Sequence, residues 1–218
     1  MSEEAQALTL YNLPGDIYDH LSDFLDNKSL YVFLTLSPRR ISVSKYLLQQ
    51  RQWRQESMEH WAKKGDLKAL QYLHRLGRTC NDDDAMDWTS RNGHLEVVQF
   101  LQSIGAPYTI RAMDFAAANG HLAVVQFLHS MGAPPYTSNA MDGASHNGHL
   151  AVVQFLHSIG APYTSNAMDF ASKYGHLAVV QFLHSIGAPY TKLAMIWARN
   201  KGHLAIVDFL KSVKIDLC

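Results

Sequence analysis

The stretch GHLAVVQFLHSIGAPYT, residues 175–191, decides the fold because the chain repeats it at a fixed interval. The same letters occupy residues 148–164, and close variants surround other Gly-His pairs. A weaker copy surrounds Gly65, so six units of 27 to 28 residues occupy residues 56–218. The five clear pairs, separated by steps of 27, 28, 27 and 27 residues, begin at Gly93, Gly120, Gly148, Gly175 and Gly202.

Each unit predicts two short helices joined by a glycine turn. The segment Asn166–Asp169 offers a capping side chain and an acidic first turn, which favour the start of a helix. This first helix is expected to end at Gly175, and the second to run from Leu177 to Ile186 before a glycine cap. The start signal recurs at Asn139 and Asp84 but is missing at Arg111 and Leu193. The cap is therefore predicted to differ among units.

The second helix predicts how the units assemble. Apolar residues occupy most of its circumference, and the polar strip consists of Gln181, His184 and Ser185. Such a helix needs cover on both flanks, which neighbouring copies would supply. The fold class is therefore all-α, a solenoid of about six stacked helix pairs. Charged residues in the end copies are expected to face solvent, at Lys68, Arg75, Asp208 and Lys211.

The repeat resembles a known family. The string TSRNGHLEVVQFLQSIGA, residues 89–106, is similar to the second half of an ankyrin repeat. These units depart from that family by opening with Asn-Ala-Met-Asp in place of Thr-Pro-Leu-His. They are also about six residues shorter than the usual 33, all missing after Gly187. The resemblance thus implies a helical stack with truncated hairpin loops, which would bind through its first helices.

Residues 1–10 are interpreted as an N-terminal tail, and residues 11–55 do not belong to the repeat. Their apolar spacing is helical, with a third helix predicted from Val43 to about Arg54. The segment resembles an F-box, although Gly15 and Pro38 depart from that family's pattern. The alternative is a helical cap over the first repeat. The resemblance implies docking on the Skp-type adaptor of a cullin–RING ubiquitin ligase through Leu13, Pro14, Ile17, Leu21, Leu30, Phe33 and Leu34.

Composition narrows the function classes. The chain has 19 basic and 19 acidic residues, so no global field attracts nucleic acid or a membrane. No apolar run reaches the length of a membrane span. With two cysteines and no secretory signal, the expected location is the cytoplasm or nucleus, and the expected state is a monomer.

No catalytic, cofactor or metal site is predicted. The sequence contains no glycine-rich phosphate loop, HExxH, GxSxG or CxxC motif. Most of the 12 histidines recur once per unit, which spaces them along the stack rather than clustering them around one ion. The protein is therefore expected not to be an enzyme.

The positions that vary among copies are the candidate target-binding residues. The first column is aromatic except at Gly143, and the alternative is that it packs between adjacent first helices. The second column precedes the Gly-His turn and is largely basic, and the alternative is that its cations complement helix dipoles. Its members are Lys63, Lys64, Arg91, Ala118, His146, Lys173, Tyr174, Arg199 and Lys201. The candidates are Trp88, Arg91, Phe115, His146, Phe170, Lys173, Tyr174, Trp197 and Arg199.

Together these features predict a substrate receptor of a Skp/cullin/F-box-type ubiquitin ligase, whose repeats hold an unknown target protein. The alternative is an ankyrin-repeat scaffold without a ligase link. Short repeats with this sequence, following an F-box-like segment, look similar to those of proteins carried by large DNA viruses. That resemblance would place the protein in a host cell.

Overall fold

The computed structural model describes residues 49–132 and 137–215, which form thirteen helices and no strand. The predicted adaptor-docking residues between Leu13 and Leu34 lie outside this part of the chain. The helices are α1 (49–55), α2 (Met58–Lys64), α3 (Leu67–Arg75), α4 (Asp84–Arg91), α5 (Leu95–Ser103), α6 (Arg111–Ala118), α7 (Leu122–Ser130), α8 (Ser138–His146), α9 (Leu150–Ser158), α10 (Ser165–Tyr174), α11 (Leu177–Ser185), α12 (Lys192–Asn200) and α13 (Leu204–Ile215).

The chain divides into two compact units, of which the smaller holds α1 and α3 from Lys68 onward. The indole of Trp53 lies 5.5 Å from the ring of Tyr72, measured between centroids, and both side chains are buried. Arg54 Nε donates a hydrogen bond of 2.7 Å to the Tyr72 hydroxyl. These contacts join the two helices.

The larger unit holds α2 and the five helix pairs from α4 to α13. Even-numbered helices are called first helices below, and the odd-numbered helices after them second helices. Consecutive first helices pack side by side in one layer, and second helices form the other layer. The core between the layers contains the fully buried Met86, Met113, Met141 and Met168. The predicted stack of helix pairs is confirmed for this unit.

The second helices are less buried than their composition predicts. In α11 the side chains of Val179, Val180 and Leu183 are buried, whereas Phe182 is half-buried and Ala178 is exposed. The Phe182 ring meets the His157 imidazole of the previous second helix edge-on at 5.8 Å. Cover on both flanks therefore leaves one outer edge of each second helix open to solvent.

Threonine caps four of the first helices, so the caps predicted at Asn166 and Asn139 are wrong. At the start of α4 the side chain of Asp82, rather than the predicted Asp84, accepts a hydrogen bond of 3.0 Å from the Asp84 N–H. Thr164 Oγ1 accepts a hydrogen bond of 3.1 Å from the Asn166 N–H at the start of α10. Thr109, Thr137 and Thr191 act in the same way on the helices they precede. The cap is therefore shared by these four units, including the two where no cap was predicted.

The same threonines join each repeat to the one before it. Thr191 donates from its backbone N–H and its hydroxyl to the two carboxylate oxygens of buried Asp169, at 2.9 and 2.7 Å. Asp87, Asp114 and Asp142 receive the equivalent threonines. Hydrogen bonds to a buried charged group contribute about 1.5–3 kcal/mol each. The repeated Met-Asp pair thus supplies one core side chain and one link between repeats.

The Gly-His turn forms a second link between repeats. Gly175 adopts a left-handed conformation, with φ of +86°, which lets the His176 N–H reach the Ala171 carbonyl at 2.9 Å. The His203 imidazole covers Gly175, and its Nε2–H donates to the Lys173 carbonyl at 3.1 Å. His121 and His176 donate to the equivalent carbonyls of their preceding units. These histidines are therefore structural.

Candidate binding surface

The aromatic side chains of the first helices form two groups of rings in contact. The rings of Trp88 and Phe115 lie 6.2 Å apart, and those of Phe170 and Trp197 stack at 5.8 Å with 4° between their planes. All four side chains are half-buried. The column predicted from sequence therefore combines both interpretations, since its rings pack on each other and keep one side toward solvent.

The basic column lies over these rings. Lys63 Nζ is 4.4 Å from the Trp88 ring centroid, and the Arg91 guanidinium is 4.9 Å from Trp88 and 5.6 Å from Phe115. Because Trp88 and Arg91 are three residues apart on one helix, they share a face. Cations at such distances are attracted to the ring face by roughly 0.5–1 kcal/mol at exposed sites. These four residues are called the N-terminal cluster.

A second arrangement of the same kind occupies α8, α10 and α12. Lys173 Nζ lies 5.1 Å from the Trp197 ring, 5.2 Å from Tyr174 and 6.0 Å from Phe170. The His146 imidazole is 4.3 Å from the ring of Tyr174, which is 44% exposed. The C-terminal cluster is defined as His146, Phe170, Lys173, Tyr174 and Trp197.

The two clusters are separated by a notch formed by Ala118 and Gly143. A Cβ atom on Gly143 would lie 2.9 Å from the Ala118 Cβ, closer than such atoms approach. The small residues therefore let α6 and α8 pack together, which supports the packing interpretation of Gly143. The two clusters and the notch are together called the first-helix ladder.

The ladder is electropositive. Within residues 49–132 and 137–215, Lys63, Arg91, Lys173 and Arg199 make no ion pair with a carboxylate. Burial lowers the pKa of His146, and the nearby Lys173 and His176 lower it further. Three cationic side chains of the clusters thus face rings and solvent rather than acids.

Two polar features of the described residues lie outside the ladder: the Cys80 thiol and the cluster of Asp82, Asp83 and Asp84. Burial and the neighbouring Glu59 raise the pKa of the Cys80 thiol to about 12, which keeps it protonated and unreactive. The side chains of Asp82, Asp83 and Asp84 approach one another, and Asp84 pairs with Arg111 at 2.9 Å. No helix of the described ranges is long and apolar enough to cross a bilayer.

The structure brings eight of the nine predicted target-binding residues into the two clusters. Arg199 is exposed on α12, where no ring contact places it in either cluster. Lys63 and Ala118, which the sequence places in the second variable column, also belong to the ladder. Their contacts with Trp88 and Gly143, each on the next first helix, could not be predicted from the sequence.

Comparison with known proteins finds similarity to ankyrin repeats. Residues 113–157 match a family model described as ankyrin repeats in many copies. The crystal structure of the human ASB11 ankyrin repeat domain superposes with a TM-score of 0.63 at 17% identity, covering 72% of this chain and 83% of that chain. No curated protein matches the sequence significantly. Residues 113–157 are therefore similar to ankyrin repeats, and the structure has the fold of an ankyrin repeat domain. None of these matches identifies an F-box, so adaptor docking stays a prediction.

Proposed function

We propose that this protein is a target-binding scaffold that recognises its partner through the first-helix ladder, and that it is not an enzyme. The proposal depends on one observation: the residues that vary among the repeats are also those whose side chains reach solvent in the ladder. Residues that change among repeats lie in the two clusters, whereas residues that recur form the core and the links between repeats. A recognition surface requires side chains that differ along the stack and remain open to solvent.

The test compares two phenylalanines of one repeat. Phe170→Ala truncates a ladder ring, and Phe182→Ala truncates a half-buried ring on the second helix. Circular dichroism first shows that both variants are folded. The wild-type protein and each variant are then used to capture proteins from a eukaryotic lysate, and mass spectrometry quantifies the proteins that each one retains. Loss of a captured partner with Phe170→Ala but not with Phe182→Ala supports the proposal. Equal capture by both variants overturns it.

We further propose that residues 11–55 dock on a Skp-type adaptor, which would make the protein a substrate receptor of a cullin–RING ubiquitin ligase. The support is the sequence pattern Leu13-Pro14, Ile17 and Leu21. In this arrangement the scaffold raises the effective concentration of target lysines near the transferring enzyme. A scaffold without a ligase link is the competing function.

A co-precipitation experiment separates these two functions. Purified Skp-type adaptor is incubated with wild-type protein and with a triple variant in which Leu13, Pro14 and Ile17 are alanine. Retention by the wild type and loss by the triple variant support docking. If the adaptor does not bind, or binds both proteins equally, the ligase assignment is wrong and the scaffold remains.

A further inference from the structure

We propose, on the basis of the function proposed above, that the first-helix ladder binds an extended acidic segment of a partner protein. One acidic group would contact the N-terminal cluster and a second the C-terminal cluster, with neutral residues crossing the notch. The chemical class of the partner thus follows from charge, ring contacts and spacing along the ladder.

The charge of the ladder selects an acidic ligand. The last turns of α2, α4, α8, α10 and α12 contain basic residues, and none of these turns contains an acid. Arg91 and Lys63 are exposed and Lys173 is half-exposed, and within the described ranges no carboxylate neutralises them. The exposed carboxylate of Asp84 lies instead at the opposite end of its helix, paired with Arg111.

The aromatic rings orient the cations before a ligand arrives. Arg91 is in contact with two rings, and Lys173 with three. A long side chain that is already held against rings loses less rotamer freedom when a ligand binds than a side chain that moves freely. The clusters are therefore preorganised to receive carboxylates, which Arg binds through paired hydrogen bonds.

The notch fixes the spacing of the acidic groups. Arg91 and Lys173 lie on first helices three positions apart, and packed helices are separated by 8–10 Å, so the two cations are roughly 27 Å apart. An extended chain advances about 3.3–3.6 Å per residue, so about eight residues span that distance. Between these two cations lie the uncharged Ala118 and Gly143 and, on α8, the His146 imidazole, whose pKa is lowered by burial.

The same features disfavour a nucleic acid. A nucleic acid strand carries a phosphate about every 3.4 Å along a duplex axis, and the notch would leave several of them without a cation. The faces that Phe170 and Trp197 turn toward each other are in contact and therefore cannot stack on bases. The chain as a whole carries no net charge.

Two peptides of identical composition test the inference. The spaced peptide has three glutamates, eight alternating glycines and serines, and three glutamates. The block peptide joins the six glutamates and places the eight neutral residues after them. Fluorescence anisotropy of labelled peptides at low salt gives both dissociation constants. We expect the spaced peptide to bind roughly tenfold more tightly because it engages both clusters.

Charge-removing variants identify the surface that binds. Arg91→Gln and Lys173→Gln are each expected to bring the spaced peptide down to the affinity of the block peptide. Lys211→Gln, which removes an exposed cation of α13, leaves both affinities unchanged. Equal affinity of the two peptides for wild-type protein, or equal loss with Lys211→Gln, overturns the inference. Tighter binding of a single-stranded oligonucleotide that depends on Arg91 and Lys173 overturns it in favour of a nucleic acid.

The peptide-binding experiment and the lysate capture experiment can fail separately. If a protein partner depends on Phe170 but the spaced peptide shows no preference, the acidic class is wrong and the binding surface stands. If no captured protein depends on Phe170, the proposed function fails whatever the peptides do.

Discussion

The links between repeats and the first-helix ladder occupy the same helices but differ in uniformity. One kind of link joins a buried aspartate to a capping threonine, and the other places a histidine over a glycine. The distance from the threonine hydroxyl to the aspartate carboxylate is 2.6 to 2.7 Å in each described unit. The ladder varies among units, with a tryptophan and an arginine in one unit and a glycine and a histidine in another. Uniform buried contacts set the fold, and variable exposed contacts are available for recognition.

The strongest test of the links is Gly148→Ala. Gly148 has φ of +78°, and an added Cβ would lie 2.5 Å from His176 Nδ1. A left-handed alanine costs about 1–2 kcal/mol, and the crowding adds about 1–3 kcal/mol. We expect Gly148→Ala to lower the free energy of unfolding by about 3 kcal/mol in urea titrations.

Two matched glycines isolate the steric part of that loss. Gly160 lies in the same repeat and Gly202 in the same turn of the last unit, both with positive φ and nothing within 4 Å of an added Cβ. Alanine at either position is expected to cost only the backbone term of about 1–2 kcal/mol. Equal losses for all three variants would mean that the histidine contact contributes nothing to the link.

A smaller effect is expected where the ladder packs. Gly143→Ala gains about 1 kcal/mol of helix propensity but forces its Cβ against that of Ala118, which costs about 1–3 kcal/mol. The net result is a loss of about 1 kcal/mol in thermal or urea unfolding. The double variant with Ala118→Gly relieves the contact, so a double-mutant cycle is expected to show positive coupling. A stabilised Gly143→Ala protein would instead mean that the glycine is not required by packing.

The smallest effect concerns the titration of His146. Because its pKa is lowered in the folded state, the folded protein binds this proton less readily than the unfolded chain. The associated stability is present above the unfolded pKa of about 6.5 and is lost as pH falls through the folded pKa. Lys173→Gln is expected to raise the pKa of His146, followed by NMR titration of its ring protons. Lys211→Gln is the control, and an equal shift in both variants would contradict the assigned cause.

The helix pairs and the turn glycines could be predicted because they depend on neighbouring residues in the sequence. The caps could not. Asn166 and Asp169 have the spacing of a local cap, yet the partner of Asp169 is Thr191, 22 residues away in the next unit. The two variable columns were predicted separately, and only the packing of adjacent first helices places Lys63 over Trp88. Local signals therefore predicted the elements, and contacts between units had to be observed.

The interchangeability of the links has an evolutionary consequence. Residues 140–164 and 167–191 differ at few positions. Each copy contains the same aspartate near its start and the same threonine at its end, and the two form the same hydrogen bond in both copies. A gain or loss of one whole unit by recombination would therefore preserve every link while shifting the two clusters relative to each other. A change in the number of repeats would therefore alter the binding surface without altering the residues that stabilise the fold.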